Sequence, residues 1–267
     1  MSHIHIPDGV LPPWLWITGW VVALAAVWLA STVAKRADVR RKVPLLGIVS
    51  ALVLVSMSSE IVPIAYHVNL TVVAGVLLGP WLGIIAAFIV EVVLALLGHG
   101  GVTVIGLNTL MVAGEIVIGW GLFRLAVRVL GRRRIGIATV VATLITLAIT
   151  TTALVGIVAL AGGGAAATRE TGALDPARLT FANPFGGGIV SVNTLRGEGP
   201  AETGPQAGLS LSRFAAVVYT LGPIGWVIEA LIQAAVLSYV ARVRPGLVFR
   251  GALAERATVL PAHDVVT

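Results

Sequence analysis

Apolar positions in this chain fall in long unbroken runs and seldom alternate with polar ones. Runs near the 20 residues that a helix needs to cross a bilayer occupy 14–34, 43–66, 81–98, 104–130, 135–162 and 214–240. A shorter run, 67–79, ends on Gly79-Pro80, a helix-breaking pair. Counting it gives seven helices, this one short enough for a half-helix or a tilted one. The pattern predicts an all-α, polytopic transmembrane helical bundle of about seven helices in a single membrane domain. The divisions are a tail at 1–13, six helices over 14–162, a loop at 163–210, the last helix at 211–246 and a second tail at 247–267. No internal repeat is evident, which argues against a carrier built from inverted repeats.

Composition sharpens this picture. The chain has 267 residues, 57% hydrophobic and 11% charged, with a mean hydropathy of +0.98. Soluble domains carry about 25% charged residues, so this chain has too little polar surface to be one. Cysteine is absent, which excludes disulfides and thiolate metal sites. A metal is left with imidazole, carboxylate, thioether or backbone nitrogen. The opening MSHIHIPDGVLPP has histidines, an acid and three prolines where a cleaved leader has a basic stretch and an apolar core.

Charge then orients the helices. Segment 35–42 holds Lys35, Arg36, Arg40, Arg41 and Lys42 against Asp38. Arg124, Arg128 and the triplet Arg132–Arg134 form a second basic cluster, and Arg242, Arg244, Arg250 and Arg256 a third. The N-terminal tail and loop 163–210 are each net −1. Seven helices with the N-terminus outside place every basic cluster in the cytoplasm. The net charge of +6 is therefore a topology signal, and nucleic acid is not an expected partner. Loop 163–210, with its GGAAA and NPFGGG stretches, has the composition of a mobile extracytoplasmic excursion.

Within that topology His3, His5, His67 and His99 fall on the outer side, and His263 lies idle in the cytoplasmic tail. Neutral imidazole suits Co2+ and Ni2+, and Ni2+ accepts square-planar nitrogen sets. The amine of Met1 is a further nitrogen, because a free terminal amine titrates near pH 8. Amine, amide and imidazole close chelate rings when a histidine follows the terminus within one or two residues, the spacing of His3. Against this, His3 is also readable as a plain tail residue and His99, in Gly98-His99-Gly100-Gly101, as a turn residue.

Glu60, Glu91, Glu115 and Glu229 lie in apolar surroundings, where an unpaired acid is costly. Asn108, Met111 and Glu115 share one helical face, and Trp226, Glu229 and Gln233 another. For Glu91, Glu115 and Glu229 interhelical hydrogen bonding is preferred to metal handling. No GxxxxGK(S/T) phosphate loop and no HExxH zinc motif occur, so energy for pumping has to come from a partner.

Several segments, in this order, resemble the CbiM/NikM family, the cobalt/nickel substrate-specific subunits of energy-coupling-factor transporters. They are His5-Ile6-Pro7-Asp8-Gly9, Leu77-Leu78-Gly79-Pro80-Trp81 about ten residues after His67, Gly98–Gly101 followed by Gly106-Leu107-Asn108, and GWVIEALIQAAVLSYV at 225–240. The likeness spans most of the chain except loop 163–210. It implies a seven-helix subunit that binds its ion with an N-terminal tail tucked into the outer mouth. The ligands there are the terminal amine, a second-residue histidine and a helix-end histidine. Carried over, this selects His5 and His67. Here Met1–Ile4 precedes His5, VPIAY precedes His67 in place of a Gly/Ser/Thr-rich stretch, and His99 replaces a turn acid.

The resulting expectation is a metal site of His5 and His67, with His3 and the Met1 amine as further donors. His99 and Asn108 would be supporting or alternate ligands. No cofactor or catalytic residue is expected; Co2+ or Ni2+ is cargo. Expected partners are the lipid bilayer, a transmembrane coupling subunit, ATPase subunits and a small accessory membrane subunit, at the cell inner membrane. The alternatives are a subunit for an organic micronutrient, which needs no imidazoles at the mouth, and a metal-dependent intramembrane enzyme using His67, Glu60 or Glu115.

Overall fold

The computed structural model describes residues 11–34, 36–58, 60–61, 66–97, 101–160 and 211–249, with 36–41, 60–61, 66–67, 211–214 and 217 given by their backbone. Its elements are α1 (Pro13–Val33), α2 (Arg36–Ser58), β1 (Glu60–Ile61), β2 (Tyr66–His67), α3 (Thr71–Leu78), α4 (Pro80–Leu96), α5 (Ile105–Leu130), a 3-10 turn (Arg132–Arg134), α6 (Ile135–Leu160), α7 (Leu211–Val243) and α8 (Pro245–Val248). Four helices are long and apolar enough to cross a membrane: α1, α5, α6 with its preceding turn, and α7 from Val218. The apolar parts of α2 (Lys42–Ser58) and α4 are shorter. The chain is a multi-pass, all-α transmembrane bundle.

α5 is its central post, packing against α1, α3, α4 and α6, while α7 packs on α6 and α2 on α3 and α4. Close approach to α1 depends on two glycines. A Cβ on Gly106 would run into the backbone of Gly19 and Trp20, and one on Gly19 into Leu107. Trp20 completes the contact: its Nε1 donates to the carbonyl of Thr103 at 2.8 Å, and its ring meets Phe88 edge-on. The main core gathers Met57, Leu78, Leu94, Ile116 and Leu237 from α2, α3, α4, α5 and α7.

The second expected helix was to run to residue 66 and the short one to start at 67. Instead α2 stops at Ser58, and the chain makes a two-residue antiparallel ladder, Glu60 opposite His67 and Ile61 opposite Tyr66. Hydropathy does not separate helix from strand in a continuous apolar run, and Pro63 between the paired strands cannot donate a backbone hydrogen bond. His67 is consequently a strand residue, four positions ahead of the helix it was expected to open. At its other end α2 begins at Arg36, not 43. Charge marks where an apolar span starts, which is not where a helix starts.

α3 is the half-helix. Its eight residues are all buried and rise only about 12 Å, well short of the roughly 30 Å apolar thickness of a bilayer. Gly79 ends it with φ +81° and is at once the cap of α4. Gly131 ends α5 with φ +82°. Both backbones lie in the left-handed region, where only glycine is comfortable.

Candidate metal-handling site

A helix that starts inside a bundle exposes N–H groups that neither water nor its own turns can satisfy. α3 has no side-chain cap of its own on Leu70. The deficit is met from distant parts of the chain. Gln233 of α7 extends its Oε1 to the amide of Val73 at 3.0 Å, and its Nε2 donates to Glu229 Oε1 at 3.1 Å. Glu229 and Gln233 are both completely buried.

Beside them Glu115 of α5 ties down the strand entering α3. Its Oε2 accepts from the amide of Asn69 and from Thr71 Oγ1 at 3.0 Å. Its Oε1 accepts from Thr150 Oγ1 of α6 at 3.1 Å. An acidic side chain at the positive end of a helix dipole is favourably placed, and three donors meet the cost of burying it. Glu115 thus serves interhelical hydrogen bonding, the role preferred for it on sequence, whereas the bond between Glu229 and Gln233 lies within α7. Glu91 is also buried, on α4.

His67 lies two residues ahead of Asn69, so this anchor fixes where its backbone emerges. α3 and α5 run side by side to a common end at Gly79, Arg128 and Gly131. Followed backwards, the one leads through Asn69 to His67 and the other through Glu115 to Asn108. Both therefore point to the opposite end of the bundle. Asn108 is buried there, its amide closing the first turn of α5 on Val104 O at 3.0 Å. The root of the N-terminal tail is at the same end, where Leu11 and Leu15 pack with Val104, Leu107 and Leu154.

The structure thus brings the tail root, Asn108 and the His67 backbone to one end. Met1, His3, His5 and His99 lie outside the described residues, as do Glu60's side chain and loop 163–210. Among the described residues no group of three or more His, Cys, Asp or Glu side chains is arranged to hold a metal.

Sequence reading passed over Asn69, Thr71 and Thr150. A signal for Thr150 exists: Thr139, Thr143, Thr146 and Thr150 recur at helical spacing and are all buried on α6. Asn69 and Thr71 are the two polar interruptions of an apolar run that already contained His67.

Comparison with known proteins adds the relationship. A provisionally named metal transport protein of Haloquadratum walsbyi is 35% identical over 127 residues, which are 46% of this chain and 58% of that protein. A protein of Methanocaldococcus jannaschii with the same provisional name is 36% identical over 110 residues, 39% of this chain and 49% of its own length. The matches thus span about half the length of these relatives. Two crystal structures, of a transition metal transporter and of a truncated form, share the fold with a TM-score of 0.62 at 19% identity. The likeness covers 90% of this chain and 99% of the truncated form, 93% of the other. The family model described as cobalt uptake substrate-specific transmembrane region matches residues 5–247, and the chain belongs to that family, CbiM.

Proposed function

We propose that this protein is the substrate-capturing subunit of a metal importer, taking Co2+ or Ni2+ at the end that carries His67 and releasing it at the basic end. The observation that carries this reading is the family match, which begins at His5. With it goes the anchored strand that presents His67 at the end where the tail is rooted. His5 and His67 are the principal ligands, and His3 with the Met1 amine completes a nitrogen set. Asn108 and His99 support or replace these donors. The basic end faces the cytoplasm of the cell inner membrane, following the charge rule. ATP is hydrolysed on separate subunits, joined by a transmembrane coupling subunit of the energy-coupling-factor type and a small accessory membrane subunit.

Calorimetric titration of the purified protein with Co2+ and Ni2+, with and without residues 1–5, tests the reading. Submicromolar binding by the full chain and none by the truncated one is the expected outcome. Equal binding by both would end the tail's role. His67→Ala is expected to lower affinity at least about 100-fold, the upper range for losing even an outer partner of a ligand, with helical content unchanged. Protons compete with metal for imidazole and amine, so affinity is expected to fall as pH drops through the histidine range. Affinity that is flat in pH would point to oxygen ligands.

A further inference from the structure

At the basic end a cleft of about 440 Å3 opens between the α3–α4 turn, the last turns of α5 and the short helix α8. Lys42, Arg124, Arg128 and Arg132 line it, and no carboxylate does among the described residues. Two of the guanidinium groups lie over rings: Arg124 5.0 Å from the centre of Trp120, and Arg132 5.0 Å from that of Phe249. A guanidinium placed in this way keeps its N–H edge available for an anion. Beneath the cations the wall is apolar, formed by Leu77, Phe123, Val127 and Leu247.

We propose that this cleft binds the phosphate-bearing headgroup of an anionic phospholipid, with the four cations on the phosphate and the apolar wall against the glycerol and first acyl carbons. The proposal goes beyond metal capture and does not depend on it.

Topology alone accounts for basic residues at this end, and helix C-termini attract them. Arg133 and Arg134 meet both demands from outside the cleft. Neither demand requires four cations to converge on one concavity. Basic pockets between transmembrane helices at the cytoplasmic boundary are suited to acidic headgroups. A free phosphate ion would make no use of the apolar wall. A protein segment would need a larger surface, about 800 Å2 per partner in a stable interface, than a cleft of headgroup size offers.

The test uses the full chain in an uncharged detergent, with lipid retention read by native mass spectrometry and stability by thermal unfolding. Phosphatidylglycerol is expected to remain bound and to raise the melting temperature, whereas phosphatidylcholine and inorganic phosphate at equal concentration do neither. In R124Q/R128Q, affinity for phosphatidylglycerol is expected to fall about 30-fold, from the usual contribution of two near-surface cations. R133Q/R134Q removes the same charge from the same end and is expected to retain the lipid. If R124Q/R128Q does not fold, K42Q/R132Q takes its place, with circular dichroism as the check on folding. Equal retention of phosphatidylcholine, full replacement by phosphate, or equal loss in R133Q/R134Q would overturn the proposal. So would an octaglutamate peptide that binds in a cleft-dependent way while lipid retention ignores the cleft, since that assigns the cleft to a protein partner.

Discussion

α1 and α3 are both apolar helices, yet they are held in place by opposite means. Of the 21 residues of α1 only Leu15, Gly19, Ala23 and Ala30 are buried, one narrow stripe, while Trp28 is 68% and Val21 63% exposed. Its backbone satisfies itself over a length that reaches both faces of a bilayer, and its outer surface needs only to be apolar. α3 buries all of its eight residues and leaves its first N–H groups inside protein. It exists as a helix there because Gln233, Glu115 and Thr150, from three other helices, meet its entry. A spanning helix is specified by its own composition; a half-helix is specified by side chains remote in sequence. Only the second kind can present a strand such as β2 below the mouth of a bundle, because its chain turns within the bundle.

The largest break in that comparison is expected from Glu115→Ala. It takes their Glu115 acceptor from Asn69 and Thr71, each at about 1 kcal/mol or more, while Thr150 Oγ1 keeps the Thr146 carbonyl at 3.1 Å. A total loss of about 2 kcal/mol in unfolding by a denaturing detergent is expected, with weakened metal binding because the proposed ligand His67 sits on the released strand. Glu115→Gln keeps one acceptor oxygen and is expected to lose about half as much. Full stability in Glu115→Ala would show that α3 does not need remote support.

This dependence also decides what was legible in the sequence. The helices that meet lipid were read from hydropathy to within a few residues, since their specification is compositional and local. Residues 60–61 and 66–70 were misread as helix because their structure rests on pairing between Glu60 and His67 and on the hold of Glu115 over Asn69, 46 residues away. His67 was identified as chemistry-bearing by its type and by family resemblance. What fixes its backbone was not visible, since Asn69 and Thr71 are unremarkable letters until α5 and α6 are set beside them. Gly106 and Asn108 were selected together as a motif; packing separates them, one a crossing point with α1 and the other a buried polar group.

A middle-sized effect is expected where α3 meets α5. A Cβ on Gly75 would run into the carbonyl oxygen of Ile116 and crowd Trp120. Gly75→Ala is expected to cost about 2 kcal/mol, in the range for overpacking a tight core. Gly121 lies on the same α5 with nothing within 4 Å of an added Cβ, and Gly121→Ala is expected to be neutral or mildly stabilising, as Ala is the better helix former. The pair holds the substitution constant and changes the helix and what an added methyl group meets. Equal melting temperatures for the two variants would mean that the α3–α5 contact is looser than its geometry.

The smallest and most selective test is Gln233→Leu. Leucine fills similar volume but withdraws the acceptor from the Val73 amide and the donor from Glu229. Interhelical side-chain hydrogen bonds in membranes average about 0.6 kcal/mol; the one to Val73 crosses between helices and also caps a helix start, so a global loss of about 1 kcal/mol is expected. Global stability alone would not distinguish this from ordinary repacking. Location does. If α3 depends on remote capping, amide hydrogen exchange is expected to accelerate at Val73 and its neighbours in the first turn, while α1 keeps its protection, because the residue changed lies on α7, which, among the described residues, is not one of the helices packed on α1. Restoring an acceptor of the same reach with Gln233→Glu is expected to recover protection at Val73, though not the donation to Glu229. Acceleration spread evenly over α1 and α3 would mean that the two helices open as one unit, and the contrast between self-sufficient and remotely supported helices would fail.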